Sequence, residues 1–225
     1  MAELTVLQGP AAALRIDNLD TDQIMPKQFL RGIDKAGLAQ GLLYDLRFDA
    51  QGRARPDFVL NQPAHADSSI LIAGANFGCG SSREHAVWGL QQYGIRAVLA
   101  PSFGEIFYSN AMNNGLLALM LPVDAITALM AWAEGAPDGG PAAEVSIALN
   151  DSVVRAGGLE VPFDMSARHR RMVMEGLDVI GLSMTYQPQI EAFAAAHAAR
   201  SPWLVDVAAR VRARIGEGPA TPSWG

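Results

Sequence analysis

Asn76-Phe77-Gly78-Cys79-Gly80-Ser81-Ser82-Arg83-Glu84-His85 is the stretch on which the reading of this 225-residue chain turns. It sets two hydroxyls and an arginine after a Gly-x-Gly turn, where an apolar pattern of helical spacing begins. Helix N-termini carry unpaired N–H donors and the positive end of the macrodipole, so a small dianion is the kind of ligand such a place suits. Gly78 and Gly80 can adopt positive φ and allow a ligand close to the backbone. Arg83 can hold a carboxylate through two parallel hydrogen bonds.

Working outward, residues 69–73 form a short apolar run that reads as a buried strand. Ala86, Val87, Leu90 and Tyr93 recur at helical spacing, and Gly94 ends that helix. Residues 96–100 read as the next strand, stopped by Pro101. Ser102 is then expected to cap a second helix, with Phe103, Ile106, Phe107 and Ala111 on one face. Residues 116–121 give a third strand, closed by Pro122. Strand and helix alternate at the rhythm of βαβ units, which predicts parallel pairing. Residues 143–149, 152–156 and 159–163 read as short strands joined by hairpin turns at Asn150-Asp151 and Gly157-Gly158. A helix is expected after Asp164, another over 186–199, and one more over 205–215. Residues 56–67 are expected to be a surface loop.

Ser81-x-x-Glu84 also fits a capping box, in which the hydroxyl does no more than satisfy a backbone N–H. The glycines before it, the second hydroxyl at Ser82 and Arg83 exceed what a cap needs. A nucleophile elbow fails, because Arg83 and Glu84 stand two residues after the serines where glycine is required. A P-loop would need a lysine in this turn, and a dinucleotide fingerprint would need glycine at position 83. His85 falls one turn into the helix, where a packed histidine is as acceptable as a functional one.

The whole stretch from Asn76 to Ala86 resembles the signature of the swivelling domain of the aconitase superfamily. Three further stretches resemble the bacterial small subunits of its isopropylmalate dehydratase branch. They are Asp20-Thr21-Asp22-Gln23-Ile24-Met25-Pro26-Lys27-Gln28-Phe29-Leu30, Ala100-Pro101-Ser102-Phe103-Gly104-Glu105-Ile106-Phe107, and Gly176-Leu177-Asp178-Val179-Ile180-Gly181-Leu182. The resemblance runs to about residue 198. It implies an α/β fold of three layers, β/β/α, with a mostly parallel sheet and covering helices over residues 1–199. Residues 200–225 are then a C-terminal extension, a helix followed by a disordered tail.

The implied reaction is the interconversion of 2-isopropylmalate and 3-isopropylmalate through 2-isopropylmaleate, in leucine biosynthesis. The resemblance makes Ser81 the base that removes the C–H proton, with Ser82, Arg83 and Asp22 as substrate-binding neighbours. Lys27, Phe29 and Leu30 extend the Asp22 segment, and the two apolar residues are candidates for the isopropyl contact or for plain core. Arg31 is a further candidate carboxylate ligand. Thr21, Asn76, Gly78, Cys79, Gly80 and His85 are supporting positions. A sister dehydratase acting on citramalate or homoaconitate is the alternative within the superfamily. A carboxylate-binding module without catalysis of its own is the alternative outside it.

In that family a [4Fe-4S] cluster takes the leaving hydroxyl. Cubane clusters need several thiolates, and Cys79 is the only cysteine here. The chain is therefore expected to bind no cofactor and to depend on a cluster-bearing large subunit. Cys79 as a nucleophile is less favoured than Cys79 as a small packed residue. Asp17, Asp20 and Asp22 cluster, but a calcium loop would need a following glycine and a distant glutamate. Turn and cap hydrogen bonds explain them more simply.

A net charge of −6, with Lys27 and Lys35 the only lysines, argues against nucleic acid as a partner. The most apolar window, 115–133, is broken by Pro122 and Asp124 and reads as a strand and an amphipathic helix, not a membrane span. No basic stretch followed by an apolar block opens the chain, and a lone cysteine fits a reducing compartment, so a cytoplasmic location is expected.

Overall fold

The structure is a computed structural model and describes residues 4–30, 37–81, 83–135 and 142–216. Two compact units divide the chain at Val179 and Ile180. The first opens with β1 (Val6–Leu14), then the one-turn helices α1 (Thr21–Ile24), α2 (Leu38–Gly41) and α3 (Tyr44–Arg47). Single 3-10 turns lie at Lys27–Phe29, Val59–Asn61 and Pro63–His65. Strand and helix then alternate through β2 (Ile70–Ala73), α4 (Glu84–Tyr93), β3 (Ala97–Ala100), α5 (Glu105–Asn113), β4 (Leu117–Met120) and α6 (Val123–Glu134). Three consecutive strands follow, β5 (Glu144–Ala148), β6 (Val153–Ala156) and β7 (Leu159–Pro162), before α7 (Ala167–Glu175).

The seven strands form one sheet in the order β4-β3-β2-β1-β5-β6-β7. Pairings from β4 to β1 are parallel, and those from β1 to β7 are antiparallel. The expectation of a mostly parallel sheet in a three-layer β/β/α stack is therefore corrected: the sheet is mixed, curled and covered by helices. The tight connections at 149–152 and 157–158 cannot span a parallel crossover, so β5, β6 and β7 must alternate in direction. What no motif announced is the strand that joins the two halves. β1 pairs with β5 through Val6 to Pro10, then hands over to β2 through Ala11 to Leu14. Pro10 stands at the handover, and a side chain on Gly9 would collide with Ser69 Oγ at 2.1 Å.

Burial follows the pairing. β2 and β3 are buried along their whole length, as strands covered on both faces should be. β6 alternates in and out instead. The core runs from Leu7 through Leu14, the short central strands, and the inner faces of α4, α5 and α6. Gly94 ends α4 in the left-handed conformation with φ +112°, which suits glycine. The segment expected as a surface loop is drawn inward, since Leu60 and His65 are buried.

The remaining helices are α8 (Val179–Met184), α9 (Gln187–Arg200) and α10 (Val207–Gly216). Within α9 and α10 no residue is buried. Val207, Val211 and Ile215 recur at four-residue spacing in α10 and are all exposed. Among the described residues no helix is long and apolar enough to cross a membrane.

Candidate active site

Parallel strands end on one side of a sheet, and three of their exits are laced together here. Gly78 N–H donates to the Leu19 carbonyl at 2.8 Å, and Thr21 N–H to the Cys79 carbonyl at 2.9 Å. On the other flank, Phe77 N–H donates to the Ser102 carbonyl and Gly104 N–H to the Phe77 carbonyl. The glycine turn thus continues β2 as a short strand between the exits of β1 and β3. Rings of Phe77, Phe103 and Phe107 pack beneath it, with centroids 5.2–6.2 Å apart. Gly78 has φ +73°, and a Cβ there would meet the Phe107 ring at 2.2 Å. Only glycine satisfies both conditions.

That lacing brings Thr21, Asp22, Ser81 and Arg83 into contact. Ser81 Oγ donates to Asp22 Oδ1 at 2.7 Å, and Thr21 Oγ1 lies 3.1 Å from the same Ser81 oxygen. Ser81 has one proton, committed to the shorter bond, so Thr21 is the donor in the second. Thr21 is fully buried, whereas Ser81 is exposed. A buried hydroxyl therefore aims an exposed one. Arg83 Nη1 stands 2.6 Å from Asp22 Oδ1. This is a charge contact without an aligned hydrogen bond, because the buried Nη1 has no acceptor along its N–H directions. The Arg83 side chain is itself 22% exposed beside the 40% exposed Asp22 carboxylate.

The capping alternative for Ser81 does not hold in this geometry. α4 begins at Glu84, with Arg83 at the N-cap position and no side-chain cap. Glu84 Oε1 instead accepts from Asn114 Nδ2 at 2.7 Å. The three aspartates also separate by task. Asp17 Oδ1 accepts from Ala75 N–H, and Asp20 caps α1 in a reciprocal capping box with Gln23. Asp22 alone reaches Ser81. Among the described residues no three His, Cys, Asp or Glu side chains converge to hold a metal ion.

The other sequence candidates have different surroundings. Cys79 is half-buried, with Sγ 3.4 Å from the Asn18 carbonyl. Gly80 has φ +90°, with Asp20 Cβ 3.3 Å from where its own Cβ would stand. His85 packs its ring 4.8 Å from that of Trp88. Lys27 is exposed in its 3-10 turn. Phe29 sits 5.0 Å from the Tyr44 ring, and both Phe29 and Leu30 pack against the core. Ser82 and Arg31 lie outside the described residues.

Three supporting residues escaped the sequence analysis. Ser102 does not cap α5, whose N-cap is Gly104; its Oγ accepts from Asn76 N–H at 2.8 Å. Asn18 and Asn76 both adopt positive φ and join side chains at 2.9 Å. Asn114 links α4 and α5, accepting from Trp88 Nε1 and donating to Glu84. Asparagine tolerates the left-handed region, so the Asp17-Asn18 pair was a readable turn signal. Nothing in sequence marked Ser102 as a latch instead of a cap.

A family model described as the Aconitase C-terminal domain matches residues 1–124. A 3-isopropylmalate dehydratase small subunit from Chromobacterium violaceum is 56% identical over 211 residues, covering 94% of this chain and 98% of its own. One from Rhodospirillum centenum is 46% identical, covering 90% and 98% respectively. This chain belongs to the family of 3-isopropylmalate dehydratase small subunits, in the aconitase superfamily. A crystal structure of 3-isopropylmalate dehydratase from Methanocaldococcus jannaschii superposes on this family member with a TM-score of 0.59 and 27% identity, covering 83% of this chain and 99% of that one.

Proposed function

We propose that Ser81 is the base and Arg83 the carboxylate anchor of a hydro-lyase completed by a second subunit. The chain is the small subunit of 3-isopropylmalate dehydratase, working in leucine biosynthesis with a cluster-bearing large subunit. The observation that carries the residue assignment is the exposed Ser81 hydroxyl, held between buried Thr21 and the Asp22–Arg83 pair.

A proton next to a carboxylate is weakly acidic, so its removal needs a base in contact and positive charge on the carboxylate. Asp22 draws the Ser81 proton along the 2.7 Å bond, while the Arg83 charge favours the anionic oxygen. Thr21 fixes the direction in which that oxygen points. Arg83 orients the dicarboxylate so that its C–H meets Ser81, and Ser82 is a second contact. A cluster bound in the partner would supply Lewis-acid assistance to the departing hydroxyl. One cysteine, half-buried against Asn18, is no ligand set for such a cluster, which agrees with its residence in the partner. Lys27, Phe29 and Leu30 stand on the turn that follows Asp22, and we assign the choice among malate-like side chains to that turn. A cytoplasmic location completes the reading, since both subunits and a soluble dicarboxylate must meet.

In the pair reconstituted with the large subunit, Ser81→Ala should lower turnover by about 10²–10⁴, the usual worth of a positioned acid or base. Subunit association should not change. Near-normal turnover would remove Ser81 as the base and favour a carboxylate-binding role alone. Leu30→Arg should move the substrate ranking toward more acidic side chains; an unmoved ranking would take residues 27–30 out of the specificity pocket.

A further inference from the structure

We propose that Ile106, Met120 and Val123 extend the Ser81 loop into one docking face, on which the cluster-bearing large subunit seats. The inference rests on the reading of Ser81 above, because a base that works with a partner's cluster must lie within the covered surface.

β1 to β4 are parallel, so the segments after Leu14, Ala73, Ala100 and Met120 all leave the sheet at the same end. Ser81 follows β2, Ile106 follows β3, and Met120 and Val123 stand at the exit of β4. Packing ties these segments together. A Cβ on Gly104 would come within 2.6 Å of the Gly78 carbonyl and 3.0 Å of Cys79 Cα, so the start of α5 abuts the glycine turn. Val123 lines a cleft of about 250 Å³ with Asp17, Gly74 and Pro101, and Asp17 holds the Ala75 N–H just before that turn.

The three side chains are misplaced for a free surface. Ile106 is 52% exposed, Met120 50% and Val123 67%, while their neighbours Phe107 and Leu121 are nearly fully buried. Ile106 and Val123 occupy first-turn helix positions, where polar or acidic residues would serve the helix better. Covering exposed aliphatic side chains removes apolar surface from water, so such residues beside a catalytic loop favour a partner. The same end of the sheet supplies the site and its adhesive rim.

The test titrates large subunit with the Ile106→Asp/Val123→Asp double variant of the full-length chain, reading turnover against concentration. The half-saturating concentration should rise at least tenfold, with turnover recovering as large subunit is raised. Val6→Lys, a charged change at the opposite end of β1, serves as the comparison and should leave the titration in place. Hydrogen exchange of the wild-type complex gives a second readout: backbone amides over 104–108 and 121–125 should gain protection on assembly. An unshifted titration by a folded double variant, or equal weakening by Val6→Lys, overturns the proposal. So does absence of protection, or a double variant that alters only self-association of the small subunit. Ser81→Ala reports separately, since it changes turnover at saturation and not the midpoint.

Discussion

The two halves of the sheet differ in where their connections go. From β1 to β3 each parallel strand exits at one end into a segment that holds part of the candidate site: Thr21 and Asp22, then Ser81 and Arg83, then Ser102. From β5 to β7 the strands turn back within a few residues, and their turns hold Asn150, Asp151, Gly157 and Gly158. A crossover leaves the sheet and must return, so its first residues are free to be shaped into a site. A hairpin spends those residues on reversing direction. Substitutions in the parallel half should therefore be felt in turnover, and those in the antiparallel half in stability.

The largest expected effect on stability is on the antiparallel side. Leu7→Ala removes a side chain that is 2% exposed where β1 pairs with β5, and should cost about 2–5 kcal/mol in denaturant unfolding. Turnover of the folded fraction should be retained; a collapse of turnover would break the division between halves. On the parallel side, Thr21→Val keeps the volume and removes the donor to Ser81. Turnover should fall about tenfold, equivalent to roughly 1.4 kcal/mol, with KM little changed. Thr21→Ser should restore most of it, and failure of that rescue would assign Thr21 to packing alone.

Ser102→Ala withdraws the acceptor from Asn76 N–H and should cost about 1 kcal/mol of stability, read as a lowered melting midpoint. If the latch shapes the site, turnover falls too; if turnover is untouched, the latch serves only the fold. The smallest effect concerns pH. Burial lowers the pKa of His65, partly opposed by a hydrogen bond to the Ala11 backbone. The unfolded chain then takes up a proton at higher pH than the folded one. Stability is complete above the ordinary histidine range and declines as pH falls through it. His65→Gln should flatten that decline relative to the wild-type chain, in melts between about pH 7 and 5. His169, depressed by burial and then by Arg168, leaves a residual slope of the same sign.

Legibility differed between elements for physical reasons. β2, β3 and β4 were readable because buried or nearly buried strands are short apolar runs bounded by Gly and Pro. β1 was not, since Val6–Leu14 mixes Gln8, Gly9 and Pro10 with alanines and imitates no strand template. Its dual pairing is what converts two local motifs into one mixed sheet. Ile106 was expected to share one face of α5 with Phe107 and Ala111; those two are buried and it is half exposed, since at 100° per residue it lies well around the helix from both.

By itself, the order of residues in 76–86 and 20–30 carried the resemblance to the superfamily and the identity of the polar side chains, and that resemblance, with one cysteine in the sequence, implied a cluster-bearing partner. A resemblance of this kind survives without knowing where anything sits. Which hydroxyl donates to which, that Asp22 and not Asp17 or Asp20 reaches Ser81, and that the sheet is mixed were decided only in three dimensions. Contacts between residues about sixty positions apart depend on strand register, and register is set by the packing of the whole sheet.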